Sequence, residues 1–258
     1  MPFLTIGPGR VEYERIDADD AGVATFVMLH EGLGSVAMWK DFPTRLARAT
    51  RSSVVVYSRH GYGRSAAIGQ PRSVRYMHDE ALIVLPALLE ALRINHPILF
   101  GHSDGASIAL IHAGAADREV AGVVALAPHV MVEDLSIASI AAAKVSYQNT
   151  DFRTRLARYH DDVDGVFWAW NDIWLNPAFR SWSIEEYLPR IRCPILAIQG
   201  EDDEYGTMEQ LNRISEAAAA VEIVALNDCR HSPHRDRPDA VLQAVASWAQ
   251  RHQALPSS

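Results

Sequence analysis

Short apolar stretches alternate with segments of helical periodicity along most of this chain, and this alternation constrains the fold more than any other feature. The apolar stretches predict strands at residues 25–29, 53–57, 97–100, 120–126, 195–198 and 222–226. Helices are predicted at residues 42–49, 79–92, 106–116, 208–219 and 240–251. Apolar strands separated by helices are typical of a mostly parallel sheet that is covered on both faces. The sequence therefore indicates an α/β fold.

Two parts of the chain depart from this alternation. Near the N-terminus, strand-like runs at residues 3–5 and 11–15 flank Gly-Pro-Gly and predict a hairpin, which brings the predicted sheet to an eight-stranded type. Residues 131–188 lack strand patterns and hold four of the six tryptophans. We interpret them as a helical cap inserted after the sixth strand. Residues 1–130 and 189–258 would then form the α/β core.

Charge and composition argue against several classes of protein. The chain carries 24 lysine and arginine residues against 32 aspartate and glutamate residues, a net charge of −8. Proteins that bind nucleic acid or anionic lipid normally present a basic face. No apolar run approaches the roughly 18 residues of a membrane span, and the first residues do not resemble a secretory leader. We expect a cytoplasmic protein with a small-molecule substrate and no nucleic-acid or membrane partner, and a homo-oligomer remains open.

The sequence gives little evidence for a metal site or for a disulfide framework. Two cysteines cannot form a disulfide framework, and neither has zinc-finger spacing around it. His231 and His234 stand three residues apart but have no other suitable ligands close by in the sequence. The sequence therefore predicts no metal site.

The motif Gly101-His102-Ser103-Asp104-Gly105 holds a candidate catalytic serine and falls between a predicted strand and a predicted helix. A serine on a tight strand-to-helix turn needs small residues two positions to either side, because a Cβ there would collide with the turn. The following helix would place backbone N–H groups and the positive end of its dipole beside the serine hydroxyl. Ser103 is therefore the predicted nucleophile, although the string alone would also fit an ordinary glycine-rich turn.

A serine nucleophile needs a base to take its proton and an acid to orient that base. An acidic loop at residues 199–203 follows one predicted strand, and His231 follows the next. Serine, acid and histidine thus follow three different strands in the order typical of strand-elbow hydrolases. Such residues meet at the carboxyl ends of parallel strands. Glu133 or Asp134 could supply the acid instead.

Five separated segments resemble the α/β-hydrolase family, in order and over nearly the whole chain. They are LHEGLGSVAMW, SRHGYGRS, GHSDG, QGEDDEYG and RHSPHRDRP. Gly200-x-x-Asp203 matches the acid motif of the family, which implies Asp203 rather than Asp202 as the partner of the histidine. His231, seven residues before Pro238, matches the catalytic histidine better than His234. The resemblance implies a catalytic triad that requires no cofactor.

The resemblance also implies an oxyanion hole built from two backbone N–H groups. One belongs to Asp104, directly after the nucleophile, and the other to Gly32, two residues after His30. Glu31 stands where the family usually has glycine, so the sequence departs from the family pattern in this loop. The loss of one such donor can cost about 3–4 kcal/mol of transition-state stabilisation.

The residues expected to contact the substrate are Glu31, His129, Trp168 and Trp174. Aromatic residues of the predicted cap would roof the pocket, exclude water and favour a small or medium apolar group. The Asp104 carboxylate would either face a polar substrate group and repel anionic ones, or join a local hydrogen-bond network.

These features predict a serine hydrolase that cleaves a small or medium carboxylic ester, thioester or lactone through an acyl-enzyme intermediate. Two alternatives stay open. The resemblance also admits a C–C bond hydrolase with the same triad, and it admits a ligand-binding member of the fold in which the triad is catalytically slow.

Overall fold

The computed structural model describes residues 2–7, 9–18, 24–68, 71–115 and 119–253. Within these ranges, eight strands form one sheet in the order β1-β2-β4-β3-β5-β6-β7-β8. The strands are β1 (Phe3–Ile6), β2 (Gly9–Ile16), β3 (Thr25–Leu29), β4 (Ser53–Tyr57), β5 (Ile98–His102), β6 (Gly122–Leu126), β7 (Ile195–Gly200) and β8 (Val221–Leu226). The helices are α1 (Phe42–Thr50), α2 (Tyr76–Asp79), α3 (Leu85–Ala91), α4 (Asp104–Ala115), α5 (Asp134–Asn149), α6 (Phe152–Leu156), α7 (Val163–Trp174), α8 (Glu209–Ala217), α9 (Pro233–Asp236) and α10 (Pro238–Gln253).

The sheet is mostly parallel, as the sequence predicts. The six strands β3 to β8 run parallel to one another, whereas β2 pairs antiparallel with both β1 and β4. Every residue of β5, β6 and β7 is buried, because helices cover both faces of the sheet. On one face, Leu46 of α1 and Trp248 of α10 join a core with alternate strand residues. On the other face, Leu88 of α3 and Ile108 of α4 do the same.

The two strands of the predicted N-terminal hairpin pair antiparallel in the structure. Ile6 pairs with Gly9 across the β1–β2 ladder. Pro8 of the predicted turn and residues 254–258 of the predicted core lie outside the described residues.

The single helix predicted at 79–92 is wrong in detail, because a π-helical turn at Glu80–Val84 separates α2 from α3. Pro86 supplies no N–H to the preceding turn and its ring crowds the carbonyl four residues earlier, which favours a wider turn there.

The segment between β6 and β7 is helical and contains α5, α6 and α7. Short 3₁₀ turns follow at Pro177–Phe179 and Glu185–Arg190. The Ile184 N–H donates to the Val130 carbonyl at 2.9 Å and ties the end of the segment to its beginning. Its aromatic side chains belong to the same continuous core as the sheet face that carries α4. The division into a cap at residues 131–188 and a separate core stays a prediction.

None of the described helices combines the length and the apolar character that crossing a membrane requires. The predicted cytoplasmic location stays a prediction.

Candidate active site

Ser103 lies on a sharp turn between β5 and α4. Its φ of 53° falls in the left-handed region, which is strained for a residue with a side chain, and its N–H donates to the Leu126 carbonyl at 2.9 Å. A Cβ at Gly101 would collide with the backbone of Gly105, and a Cβ at Gly105 would collide with the carbonyl of Leu29. Because no side chain fits at either glycine, only small flanking residues permit this turn.

Three side chains from three strand ends meet beside this turn. Ser103 Oγ lies 3.0 Å from His231 Nε2, and His231 Nδ1 lies 2.8 and 3.0 Å from the two carboxylate oxygens of Asp203. They follow β5, β8 and β7 respectively. An ionised carboxylate only accepts hydrogen bonds, so Nδ1 of His231 donates and Nε2 is free to accept the serine proton.

Asp203 is held in its ionised form by its partners. Its Oδ1 also accepts the backbone N–H groups of Tyr205 at 2.8 Å and Gly206 at 3.2 Å. Burial alone would raise the pKa of Asp203, but the hydrogen bond and charge of His231, with the Tyr205 N–H, hold the pKa below its ordinary value. The carboxylate therefore stays charged while it orients the His231 ring.

The alternative acids are occupied elsewhere. Glu133 accepts hydrogen bonds from Thr207 and from Gln210, and Asp134 pairs with Arg180. Asp202 is exposed. The structure thus brings Asp203, of all the candidates, into hydrogen-bond contact with the histidine.

The loop that holds Gly32 is fixed by buried donors. The Glu31 carbonyl accepts from His30 Nδ1 at 2.7 Å and from an Arg59 guanidinium nitrogen at 2.9 Å. His30 Nε2 accepts the Arg59 N–H at 3.1 Å, and burial followed by the Arg59 charge lowers the pKa of His30, so its ring is neutral. The described chain has no cis peptide bond, so the Gly32 N–H points away from the Glu31 carbonyl and from Arg59.

The Glu31 carboxylate lies between His102 and Arg235. One carboxylate oxygen lies 3.4 Å from His102 Nδ1 and the other lies 3.3 Å from an Arg235 guanidinium nitrogen. Burial on its own would raise the pKa of Glu31, but the nearby His102 ring and Arg235 guanidinium hold it well below its ordinary value. A charged, paired side chain thus replaces the glycine that the family usually has at this position.

A cavity of about 180 Å³ opens beside Ser103. We call it the Ser103 cavity. Polar groups enter its lining from Ser103, Asp104, His129 and His231. Arg235 adds a charged group, and the apolar part of the lining includes Leu33, Ile140, Phe152, Leu156, Trp170 and Trp174. Gly32 and Glu31 also line it, so the cavity collects nearly all of the predicted site residues.

The structure corrects the prediction for Trp168, which does not line the Ser103 cavity. Trp168 lies on the opposite side of α7, where the Lys144 ammonium sits 5.4 Å above its ring. Successive residues of a helix are about 100° apart, so positions two apart face opposite ways and positions four apart share a face. Trp170 and Trp174 therefore both reach the cavity, and this spacing is the signal by which Trp170 could have been found.

His129 is 2% exposed and lies against two rings of the site. Its ring centroid is 5.1 Å from that of Trp174 and 5.6 Å from that of His231. Burial, helped by the His231 charge, lowers the pKa of His129 to about 4, so its ring is neutral near pH 7. Its role in substrate binding stays a prediction.

The Asp104 carboxylate joins a buried network, which is one of the two alternatives that the sequence left open. Its Oδ2 accepts the Tyr76 hydroxyl at 2.7 Å and lies 3.7 Å from an Arg59 guanidinium nitrogen. The Tyr76 hydroxyl in turn accepts Nε1–H of Trp174 at 3.1 Å. Sequence reasoning missed Arg59 and Tyr76, because nothing local in the sequence marks their contact with Asp104.

Among the described residues, no group of three or more histidine, cysteine, aspartate or glutamate side chains is placed to hold a metal ion.

A comparison with known protein families assigns the chain to one of them. The model of a family described as the alpha/beta hydrolase family matches residues 26–244. The chain belongs to the alpha/beta hydrolase family. The matched region of this alpha/beta hydrolase includes Ser103, Asp203 and His231. No curated protein matches its sequence significantly.

Solved structures resemble this alpha/beta hydrolase over nearly its whole length. An enol-lactonase from Burkholderia xenovorans is 18% identical, with a TM-score of 0.76 over 96% of this chain and 100% of the other. An alpha/beta hydrolase enzyme from a Medee basin deep-sea metagenome library is 19% identical, with a TM-score of 0.75 over 100% of both chains. A thermophilic esterase from Thermogutta terrifontis is 17% identical, with a TM-score of 0.72 over 98% of this chain and 100% of the other. At such identities the likeness shows the fold alone.

Proposed function

We propose that this alpha/beta hydrolase is a serine hydrolase that cleaves a small or medium carboxylic ester, thioester or lactone through an acyl-enzyme intermediate. The observation that carries the proposal is the continuous hydrogen-bond chain from Ser103 Oγ through His231 to Asp203, at the wall of a largely apolar cavity. A nucleophile, a base and an orienting acid in hydrogen-bond contact are the arrangement that acyl transfer to serine requires.

In the proposed mechanism, Ser103 Oγ attacks the substrate carbonyl while His231 Nε2 takes its proton. Asp203 holds the His231 ring in the required tautomer and stabilises the imidazolium that forms. His231 then gives the proton to the leaving group. In the second half of the reaction, His231 activates a water molecule that hydrolyses the acyl-enzyme.

Two backbone N–H groups would stabilise the oxyanion in this mechanism. Asp104 is the first residue of α4, and the first four N–H groups of a helix have no acceptor within the helix. The Gly32 N–H points away from Arg59, and Gly32 lines the Ser103 cavity. Donors fixed in advance at the developing negative charge are usually the largest single contribution to such catalysis.

The size and lining of the cavity support a compact acyl group. At about 180 Å³, the Ser103 cavity is smaller than the roughly 300–1,000 Å³ of typical drug-sized ligand pockets. The names of two structurally similar proteins, an enol-lactonase and an esterase, are compatible with this substrate class. We propose a free small molecule as the substrate.

The first experiment is hydrolysis of p-nitrophenyl esters from acetate to octanoate by the wild-type protein and Ser103→Ala. We expect turnover with an optimum among the short chains, and a loss of several orders of magnitude in Ser103→Ala because the nucleophile is gone. A fluorophosphonate probe should label the wild-type protein and not the variant.

Three other results of this experiment would each contradict a part of the proposal. Labelling without ester turnover would contradict the ester proposal and favour a lactone substrate or the C–C bond hydrolase with the same triad. The absence of both signals from folded protein would contradict the serine mechanism and favour a ligand-binding member of the fold. Turnover that survives in Ser103→Ala would move the nucleophile elsewhere.

A second prediction concerns the Gly32 donor. Gly32→Ala is expected to lower kcat/KM about 100- to 1,000-fold, because the new Cβ would collide with the Trp170 indole and displace the loop that carries the amide. Circular dichroism should confirm that the variant folds.

The matched control removes the colliding ring. Gly32→Ala in a Trp170→Ala background should cost much less activity than Gly32→Ala alone, because the methyl group then has room. An unchanged kcat/KM in Gly32→Ala would contradict the proposed donor role, and an equal loss in both backgrounds would contradict the steric explanation.

A further inference from the structure

One carboxylate oxygen beside the nucleophile has no partner within the described protein. Asp104 is 1% exposed, and its Oδ2 faces Tyr76 and Arg59, as described above. Its Oδ1 is buried and accepts no hydrogen bond from the described residues. A buried acceptor without a donor is costly, and buried polar atoms in proteins are nearly always paired. Asp104 also lines the Ser103 cavity, which places a bound substrate next to this side chain.

The charge around Asp104 decides which kind of donor fits. The Arg59 guanidinium is 1% exposed and lies 3.7 Å from Asp104 Oδ2, so the carboxylate already has a buried countercharge. An ammonium group would add a second cation to a site that one cation already balances, at a desolvation cost. An anionic group would meet repulsion from Asp104. A hydroxyl group supplies a donor without adding charge.

A second residue that lines the cavity, His129, also has a buried polar atom without a partner among the described residues. His129 Nδ1 is buried and has no hydrogen-bond partner among the described residues. Its ring is neutral near pH 7, so it carries one ring N–H and one acceptor nitrogen. A hydroxyl can both donate and accept, and it therefore suits a cavity with these two unpaired atoms.

The position of Asp104 indicates which part of the substrate carries the hydroxyl. Asp104 is adjacent to Ser103 in the chain, and its side chain is fully buried at the cavity wall. In the proposed reaction the acyl group stays attached to Ser103 while the leaving group departs toward solvent. The group that stays against a buried wall beside the nucleophile is therefore the acyl group.

The geometry points to a substrate whose acyl group carries a hydroxyl close to the reacting carbonyl, with Asp104 Oδ1 as the acceptor of that hydroxyl. This inference rests on the proposed serine hydrolase function and narrows its substrate class to hydroxyacyl esters, thioesters or lactones. It makes the Asp104 side chain a specificity determinant, in addition to the proposed role of its backbone N–H.

The test compares ethyl butanoate with ethyl 2-hydroxybutanoate, ethyl 3-hydroxybutanoate and ethyl 3-aminobutanoate by pH-stat titration at pH 7. Each kcat/KM is divided by the rate of base-catalysed hydrolysis of the same ester, which removes differences in intrinsic reactivity. We expect at least one hydroxy ester to exceed ethyl butanoate by about tenfold or more, because a site built to pair with a hydroxyl discriminates against the analogue that lacks it.

The variants locate the source of that preference. Asp104→Leu removes both oxygens and should bring the hydroxy-to-deoxy ratio close to one. Asp104→Asn keeps one acceptor oxygen without charge and should give a smaller ratio than the wild-type protein, which tests the inference even if Asp104→Leu does not fold. Asp202→Leu changes an exposed carboxylate near the site and should leave the ratio unchanged.

The results separate this inference from the function on which it rests. Ser103-dependent turnover of ethyl butanoate or a p-nitrophenyl ester, with no preference for a hydroxy ester, would overturn the inference and leave the serine hydrolase proposal standing. A preference for the amino ester would overturn the argument from Arg59. A hydroxy-ester preference that is undiminished in Asp104→Asn or Asp104→Leu would assign the selectivity to other residues.

Discussion

Replacing His231 with alanine is expected to lower kcat by about four to six orders of magnitude while the protein stays folded. The ring bridges Ser103 Oγ and Asp203, and without it no base among the described residues lies within hydrogen-bond distance of the serine. The measurement is kcat for the best p-nitrophenyl ester, with Ser103→Ala as the floor and the circular dichroism spectrum as the check of folding.

His234 provides the matched control, since it stands three residues along the same segment. Its ring is buried against Trp39, at a centroid distance of 4.7 Å, and against His102, at 4.8 Å, and neither of its nitrogens bonds to the triad. His234→Ala should therefore lower Tm through lost packing and retain most of the wild-type kcat. Equal losses of kcat in the two variants would show that the base is wrongly assigned.

Replacing Arg59 with methionine is expected to reduce the free energy of unfolding by about 3–5 kcal/mol. The change leaves the buried Asp104 carboxylate without its countercharge, and it removes the donor that holds the His30 and Glu31 carbonyls. Urea unfolding followed by circular dichroism would measure the loss.

Two further variants test the electrostatic cause of that loss. Arg155→Met removes an exposed arginine that pairs with Asp151, and it should leave the unfolding midpoint nearly unchanged. The double variant Arg59→Met/Asp104→Leu should be more stable than Arg59→Met, because neither charge is then buried alone. If the double variant were no more stable than the single one, the loss would come from packing instead of charge.

The strands and the turn at Ser103 were predictable because their signals are local. β5 to β7 are short apolar runs that need no distant partner to be recognised. The glycines around Ser103 are required by the backbone atoms that approach them, so the motif itself encodes the turn. The order of Ser103, Asp203 and His231 was predictable for the same reason, because each of them follows a strand that is recognisable locally, namely β5, β7 and β8.

The lining of the cavity was harder to predict because it depends on how distant segments pack. Trp168 and Trp170 look alike in sequence, and only the phase of α7 relative to the sheet decides which one reaches Ser103. Asp104 meets Tyr76 and Arg59, which lie 28 and 45 residues earlier in the chain. No periodicity in the sequence specifies contacts of that kind.

The hydrogen-bond chain from Trp174 through Tyr76 to Asp104 links α7 to α4. Trp174 is the last residue of α7, whereas Asp104 is the first residue of α4, directly after Ser103. A displacement of α7 that widened the cavity would withdraw the indole donor from Tyr76 and change the surroundings of Asp104. If a ligand binds more tightly at one position of α7 than at another, that position of α7 must raise the affinity for the ligand by the same factor.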